Sequence, residues 1–229
     1  MDVFGLALTD QFLYGKAEVL WLHNSYDVPE EMPLDIFFRT AEEMPEIELM
    51  ALELCRGKIL DIGAGAGSHA LLLQAQGQHV TAMDISPAAA RIMQQRGVLK
   101  VLAADINSYH AEQFDTLLLL MNGIGLTCTL EGFRSFLNHA QTLLRAGGQL
   151  IFDSSDIAYL YEEKVYTGTG YYGEVSYQYE YKGQKGDWFN WLYLDQETLK
   201  ATSIACGWTC EILFDDDQDQ YLARLFPPR

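Results

Sequence analysis

The sequence is short of positive charge. Its 229 residues carry 15 Lys and Arg against 32 Asp and Glu, a formal net charge of −17. So few cations cannot displace the counterions of a nucleic-acid backbone, which excludes a protein that wraps DNA or RNA. An anionic membrane surface is disfavoured for the same reason. Cysteine is scarce as well: Cys55, Cys128, Cys206 and Cys210 are too few and too scattered for a disulfide-dense secreted fold. Cys206 and Cys210 stand four apart across Gly207, a spacing that fits a helix end and the strand after it. No second Cys or His pair completes a metal site there, so no metal is expected. No basic residue precedes the short apolar stretch within residues 1–11, which argues against a signal peptide. The most apolar run, Thr116 to Met121, falls far short of the ~20 residues that span a bilayer. Internal repeats and low-complexity linkers are lacking. What is left is a folded chain, 49% hydrophobic and 21% charged, expected in the cytoplasm. It is long enough for one full-sized domain with a large core, and its ligand is small or is a protein.

From Lys58 onward, strand and helix signals alternate. Lys58 to Ile62 is a short apolar run ending in glycines, and Ser68 to Gln76 follows as a helix closed by Gly77. His79 to Met83 is a second strand. Ser86 caps the next helix, with Pro87 in its first turn and Gly97 at its end. Leu99 to Leu102 and Asp115 to Met121 are further strands. A long amphipathic helix from Thr129 or Leu130 to Arg145 stops at Gly147 and Gly148, and Gln149 to Asp153 is the fifth strand. Strands joined by helical crossovers give a parallel sheet with helices on both faces, an α/β fold.

The pattern then changes. Val175, Tyr177, Tyr179 and Tyr181 alternate with polar residues, the period of a strand with one apolar face. Lys182 to Asp187 is turn material and Trp188 to Leu194 the returning strand. Asp195 caps a helix ending at Gly207, and Trp208 to Phe214 pairs with Gln220 to Phe226 around the acidic turn 215–219. The 57 residues before the first strand read as helices, with Pro33 and Pro45 at the first turns. Residues 1–56 are therefore a helical cap, either packed or serving as a lid. Residues 57–229 are the main domain, with an aromatic hairpin insertion at about 157–195.

The sharpest local signal is the run Ile59-Leu60-Asp61-Ile62-Gly63-Ala64-Gly65-Ala66-Gly67-Ser68. It joins a buried strand to a helix through glycines at every second position, which lets a ligand press on peptide groups without meeting a Cβ. The open N–H groups of the helix start favour a carboxylate or phosphate, and a nucleotide is the first expectation. The dinucleotide fingerprint asks for Gly-x-Gly-x-x-Gly, whereas this loop places Ser68 where the last glycine belongs. Asp84 ends the second strand, 19 residues after Gly65, where a carboxylate accepts both ribose hydroxyls. Asp105 follows the third strand, placed to accept from the exocyclic amine of an adenine.

Together these residues resemble the class I S-adenosylmethionine-dependent methyltransferases of small-molecule type. The likeness runs from Lys58 to Asp153, and the C-terminal hairpin suits that family's Rossmann-like, doubly wound, seven-stranded sheet. The resemblance implies S-adenosyl-L-methionine as cofactor and S-adenosyl-L-homocysteine as product. It implies that Gly63, Ala64, Gly65 and Gly67, with Asp61 beneath, cradle the methionine end. Asp84 would hold the ribose, Ile85 pack on the adenine, and Asp105 with the Ile106 backbone hold the adenine edge. Met121 and Asn122 would line the sulfonium and methyl. Phe37-Phe38-Arg39 resembles the family's aromatic-Arg element, with Arg39 pairing the cofactor carboxylate; the alternative for Arg39 is a salt bridge to Glu42 or Glu43. Tyr14 would close over the same site.

The acceptor is less legible. Methyl transfer needs alignment more than acid catalysis, and the sequence names no catalytic base. Asp153 and Asp156, at the end of the fifth strand, are better placed towards substrate than His69 or His110. Nine of the 13 tyrosines lie between Tyr159 and Tyr193. They either enclose a flat or cationic acceptor, Tyr159 and Tyr171 among them, or simply pack on the sheet. The Asn-Pro-Pro-aromatic sequence of amino-directed nucleic-acid methyltransferases is missing, since Asn122-Gly123-Ile124-Gly125 stands in its place. A small-molecule acceptor follows. Two alternatives stay open, an NAD-dependent oxidoreductase and a non-catalytic protein that binds an adenosine nucleotide.

Overall fold

The computed structural model describes residues 1–161, 170–216 and 219–228. Six helices are described: α1 (Val3–Tyr14), α2 (Glu46–Glu53), α3 (Ser68–Ala75), α4 (Pro87–Arg96), α5 (Leu130–Leu143) and α6 (Gln196–Ala205). Twelve strands accompany them: β1 (Leu20–Asn24), β2 (Glu30–Met32), β3 (Lys58–Ile62), β4 (His79–Asp84), β5 (Val101–Ala103), β6 (Phe114–Leu119), β7 (Leu144–Ser155), β8 (Glu174–Tyr181), β9 (Gln184–Lys185), β10 (Phe189–Leu192), β11 (Thr209–Asp215) and β12 (Gln220–Phe226). A seven-stranded sheet has the order β11-β12-β7-β6-β3-β4-β5. The pairs β4–β5 and β6–β7 are parallel, and β12 runs antiparallel to both β7 and β11. Strands β3 and β6 are buried almost throughout, as a sheet covered on both faces requires. No helix among the described residues is long and apolar enough to cross a membrane.

The chain forms two compact units. The first comprises Met1–Met44, Leu60–Tyr109 and Ser176–Phe189. In it α1 lies against α4, so closely that a Cβ on Gly5 would run into the Ala88 methyl. Asp2 ties the two helix starts together. Its Oδ1 accepts from Gly5 N at 2.8 Å, capping α1, and its Oδ2 accepts from Ser86 Oγ at 2.5 Å, while Ser86 itself caps α4. Val3, Ala7, Leu8, Leu20, Leu34, Ala89, Ile92 and Tyr181 make the core.

The first 57 residues are not all helical. Strands β1 and β2 lie between α1 and α2, and β1 pairs antiparallel with β8, setting Leu20 opposite Tyr181 and Leu22 opposite Tyr179. The second sheet has the order β10-β8-β1-β2, with β9 on β8. The reason lies in a partner about 160 residues away: five residues of Leu-Trp-Leu-His-Asn carry no strand signal until β8 supplies the ladder. The alternating tyrosines are consumed by this packing. Tyr179 stacks on Phe4 with ring centroids 5.3 Å apart, and the Tyr181 hydroxyl donates to Asp10 at 2.8 Å.

The second unit comprises Pro45–Ile59, His110–Val175 and Asn190–Arg229. Thr129 caps α5 by accepting from Gly132 N at 2.9 Å, and Phe133, Phe136, Leu137, Ala140 and Leu143 are its buried stripe. The helix passes straight into β7 at Leu144, earlier than Gln149, because Leu144 already pairs with Phe114 of β6. Asp195 caps α6 through Thr198 N at 2.8 Å. Cys206 ends α6 and Cys210 lies on β11. Of the acidic turn 215–219, residues 217 and 218 lie outside the described residues, as do residues 162–169 of the tyrosine-rich stretch.

Candidate active site

In the first unit, β3 delivers the chain into the glycine loop. Gly63, Gly65 and Gly67 all have positive φ, at 72°, 54° and 85°. Gly63 N and Ala64 N both donate to Met83 O at 2.9 Å, and Gly67 N donates to Ala64 O at 2.7 Å, so the loop is a fixed ledge over the end of β4. A Cβ on Gly65 would meet the Phe37 ring at 3.4 Å in a backbone conformation that side chains avoid. Ser68 Oγ donates to Phe37 O at 2.8 Å, which holds the Phe37-Phe38-Arg39 segment against the loop.

Three carboxylates stand at the ends of three strands here: Asp61 within β3, Asp84 as the last residue of β4 and Asp105 just after β5. Asp84 is 8% exposed. Its Oδ2 accepts from Gly65 N at 2.9 Å and its Oδ1 from Ser86 N at 2.8 Å. Burial raises its pKa, those amides work against the rise, and Asp2 adds to it. The Ile85 amide acts in the same sense as those of Gly65 and Ser86. Asp61 sits beneath the loop at 2% exposure. Burial pushes its carboxyl up to about 6; His69 and the Ala70 amide oppose the shift and Asp84 reinforces it. Its Oδ2 is buried and has no hydrogen-bond partner among the described residues, an unfilled acceptor of the kind a native interior rarely tolerates. Asp105 is exposed, and its Oδ1 accepts from both the backbone and the side-chain nitrogen of Asn107. Ile85, beside Asp84, is 72% exposed, whereas Ile106 is buried.

Arg96 is a residue that the sequence reading missed. From the last turn of α4 its Nη1 donates to Ala66 O at 2.7 Å, to Ser68 Oγ at 3.1 Å and to Phe37 O at 3.5 Å. Its Nη2 donates to Phe38 O at 3.5 Å, and the guanidinium lies 5.1 Å from the Phe38 ring centroid. Burial lowers its pKa. The one signal for it was a basic residue in the last turn of a helix, ordinarily read as a dipole partner. Arg39 is half-buried, and its charge helps to hold the Glu43 carboxyl below the usual range, an effect led by the hydrogen bonds from Thr40. Tyr14 ends α1 and is 74% exposed.

In the second unit, Met121 and Asn122 leave β6 with φ of 62° and 54°, a left-handed pair that costs roughly 1–2 kcal/mol per residue. Asn122 N donates to Asp153, 3.0 Å from each carboxylate oxygen. Asp153 is 1% exposed, and Gln220 Nε2 donates to its Oδ2 at 2.9 Å. Its lone pairs therefore serve the protein's own donors and do not face solvent. Gly125, three residues on, lies so close under the Trp191 indole that no Cβ fits.

The residues expected on the acceptor side also fall in this unit. Asp156 Oδ1 accepts from Tyr172 Oη at 2.6 Å and from Ala158 N at 2.9 Å. The Tyr171 hydroxyl donates to Asp195 Oδ2 at 2.6 Å and accepts from Asp195 N at 2.9 Å, so it anchors the start of α6. Tyr159 is 54% exposed. A cavity of about 660 Å³ is lined by Asp156, Tyr172, Asp195, Glu197, Asp215 and Asp219, among others. His110 makes an edge contact with His139, and His69 is buried beside Asp61.

A family model described as a methyltransferase domain matches residues 59–148. The chain is 38% identical to an S-adenosylmethionine-dependent methyltransferase from Bacteroides fragilis, solved in complex with S-adenosyl-L-homocysteine. That match covers 100% of this chain and 95% of the other, with a TM-score of 0.93. The CcbJ methyltransferase of Streptomyces caelestis shares the fold at 12% identity, over 82% of this chain and 94% of that one, with a TM-score of 0.60. So does the sugar N-methyltransferase KedS8 of Streptoalloteichus sp., at 16% identity over 90% and 96% of the two chains, with a TM-score of 0.57. No curated protein matches the sequence.

Proposed function

The chain belongs to the S-adenosylmethionine-dependent methyltransferases, and we propose that it transfers a methyl group to a small-molecule acceptor through the residues set out above. The observation that carries this reading is the buried Asp61 oxygen beneath the glycine loop, with no donor among the described residues. The methionine end of S-adenosylmethionine brings an ammonium to such a loop, and an ammonium fills that acceptor. A dinucleotide pyrophosphate would instead bring negative charge to the loop above the buried Asp61 carboxylate, which counts against the oxidoreductase alternative.

In this proposal Gly63, Ala64, Gly65 and Gly67 receive the methionine end and Arg39 its carboxylate. Asp84, oriented by the Gly65 and Ser86 amides, accepts from the ribose hydroxyls. The exposed Ile85 side chain gains an apolar partner in the adenine, whose edge meets Asp105 and the Ile106 backbone. Met121 and Asn122 line the sulfonium. The cofactor supplies a methyl group on a cationic sulfur, an electrophile whose leaving group needs no proton. The protein's part is therefore to align the acceptor and exclude water, and orientation alone can contribute about 7–11 kcal/mol. Asp156 and Tyr159 face the acceptor; Tyr171 offers its ring, since its hydroxyl is committed to Asp195. Residues 1–56 are the covering segment, Tyr14 included, and residues 57–229 the catalytic part. The acidic chain with four cysteines suits the cytoplasm.

The test is turnover with methyl-labelled cofactor over a panel of small amines, phenols and alcohols, followed by release of S-adenosyl-L-homocysteine. Labelled product from one acceptor class supports the proposal. Cofactor binding without any labelled product would favour the non-catalytic alternative.

A further inference from the structure

Two consecutive residues with side chains, Met121 and Asn122, are held in the left-handed region as the chain leaves β6. Such a pair persists only where its surroundings over-determine it. Here the surroundings are mostly one carboxylate. Both Asp153 oxygens lie 3.0 Å from the Asn122 backbone nitrogen. Ser155 Oγ donates to Asn122 Oδ1 at 3.0 Å, and Gly125 N donates to Asn122 O at 3.0 Å. Gln220 from β12 holds the carboxylate itself at 2.9 Å.

We propose that Asp153 is a positioning residue, which acts through the Asn122 amide to hold the Met121–Asn122 turn in the shape that binds the cofactor. The inference rests on the reading of Met121 and Asn122 as the lining of the sulfonium. A buried carboxylate at a strand end looks like a base or a substrate contact. This one is 1% exposed with its oxygens already engaged, so what it does for the reaction it does through the backbone. A charged acceptor makes a shorter and stronger bond to an amide than a neutral one does. Burial pushes the Asp153 carboxyl up to about 6, and the charged neighbour Glu48 of α2 pushes the same way; the Asn122 amide and Gln220 of β12 oppose them. Above that pH the clamp is an anion; below it, a proton replaces the charge and the hold on Asn122 weakens.

The test is a double-mutant cycle on S-adenosyl-L-homocysteine affinity, read by calorimetry at pH 7.5. Asp153→Asn, which keeps size and one acceptor oxygen, is expected to weaken binding by about ten-fold, the range of one charge-assisted hydrogen bond. Asn122→Gly accepts the left-handed conformation without a clamp, so in that background the same Asp153→Asn change is expected to cost less than about three-fold. An equal loss in both backgrounds would overturn the proposal, because general damage to the core is not relieved by a glycine at 122. A second readout needs no variant: the Asn122 amide proton and nitrogen shifts of the wild type should titrate near pH 6, and a flat profile between pH 5 and 8 would also overturn it. Failure of the wild type to bind S-adenosyl-L-homocysteine at all would instead strike the methyltransferase reading itself.

Discussion

Replacing Asp61 by Asn should move stability and ligand binding in opposite directions. In the folded protein the Asp61 carboxyl titrates at about 6, against an ordinary 3.8, chiefly because burial penalises its charged form. That difference corresponds to roughly 3 kcal/mol. The sign follows from proton linkage: between about pH 4 and 6 the folded state binds this proton more readily than the unfolded one, so the group's favourable contribution is present at low pH and is lost as pH rises through 6. At pH 7.5 the wild type therefore holds an ionised, half-satisfied carboxylate under the glycine loop. Asp61→Asn removes the charge and keeps the shape, but brings an amide that needs partners of its own, so the expected gain is about 1–2 kcal/mol. Near pH 4 the gain should vanish. Binding runs the other way, because the oxygen that lacks a donor is the one assigned to the ligand ammonium. Losing a charged hydrogen bond costs ~1.5–3 kcal/mol, or roughly 10- to 100-fold in affinity. Urea denaturation at pH 7.5 and 4.5, with calorimetry of S-adenosyl-L-homocysteine, measures both. A variant less stable than wild type at pH 7.5 that binds the ligand equally well would show that Asp61 is neither a buried-charge penalty nor a contact to the ammonium.

Two further changes test the architecture around the loop. Arg96→Met leaves the Ala66 carbonyl without its 2.7 Å donor and removes the guanidinium's ties to Phe37 and Phe38, leaving Ser68 to hold that segment alone. S-adenosyl-L-homocysteine binding should weaken on the order of ten-fold, with Arg96→Lys recovering only part because an ammonium cannot fork across several acceptors; unchanged calorimetric affinity in the methionine variant would count against the clasp. Asp2→Ala removes the cap of α1 and the acceptor for Ser86 Oγ, so the denaturation midpoint should fall by the equivalent of about 1–2 kcal/mol, and an unmoved midpoint would show that the helix starts hold without it.

The parallel sheet could be read from Lys58 onward because each strand and helix carries its own local punctuation. Ser86 and Pro87 open α4, Gly97 closes it, and Thr129 opens α5. The N-terminal strands could not be read in the same way. β1 is paired by both β2 and β8, and the five residues Leu-Trp-Leu-His-Asn carry no mark of a partner as distant as β8. The glycine loop and the three acids are legible in the sequence, but what each carboxylate does depends on donors from elsewhere in the chain. Asp84 turned out to be built into the loop through Gly65 N, and Asp153 was committed to an amide whose left-handed geometry no residue type signalled. Arg96 was invisible for a related reason, since its partners are carbonyl oxygens, which every residue has.

Calorimetric titration of S-adenosylmethionine, S-adenosyl-L-homocysteine and NAD into the wild type and Asp84→Asn proteins decides which cofactor the loop takes. Both sulfur nucleotides should bind the wild type, bind the variant at least ten-fold more weakly, and NAD should give no heat of binding. Binding of NAD without the sulfur nucleotides would return the loop to the dinucleotide enzymes.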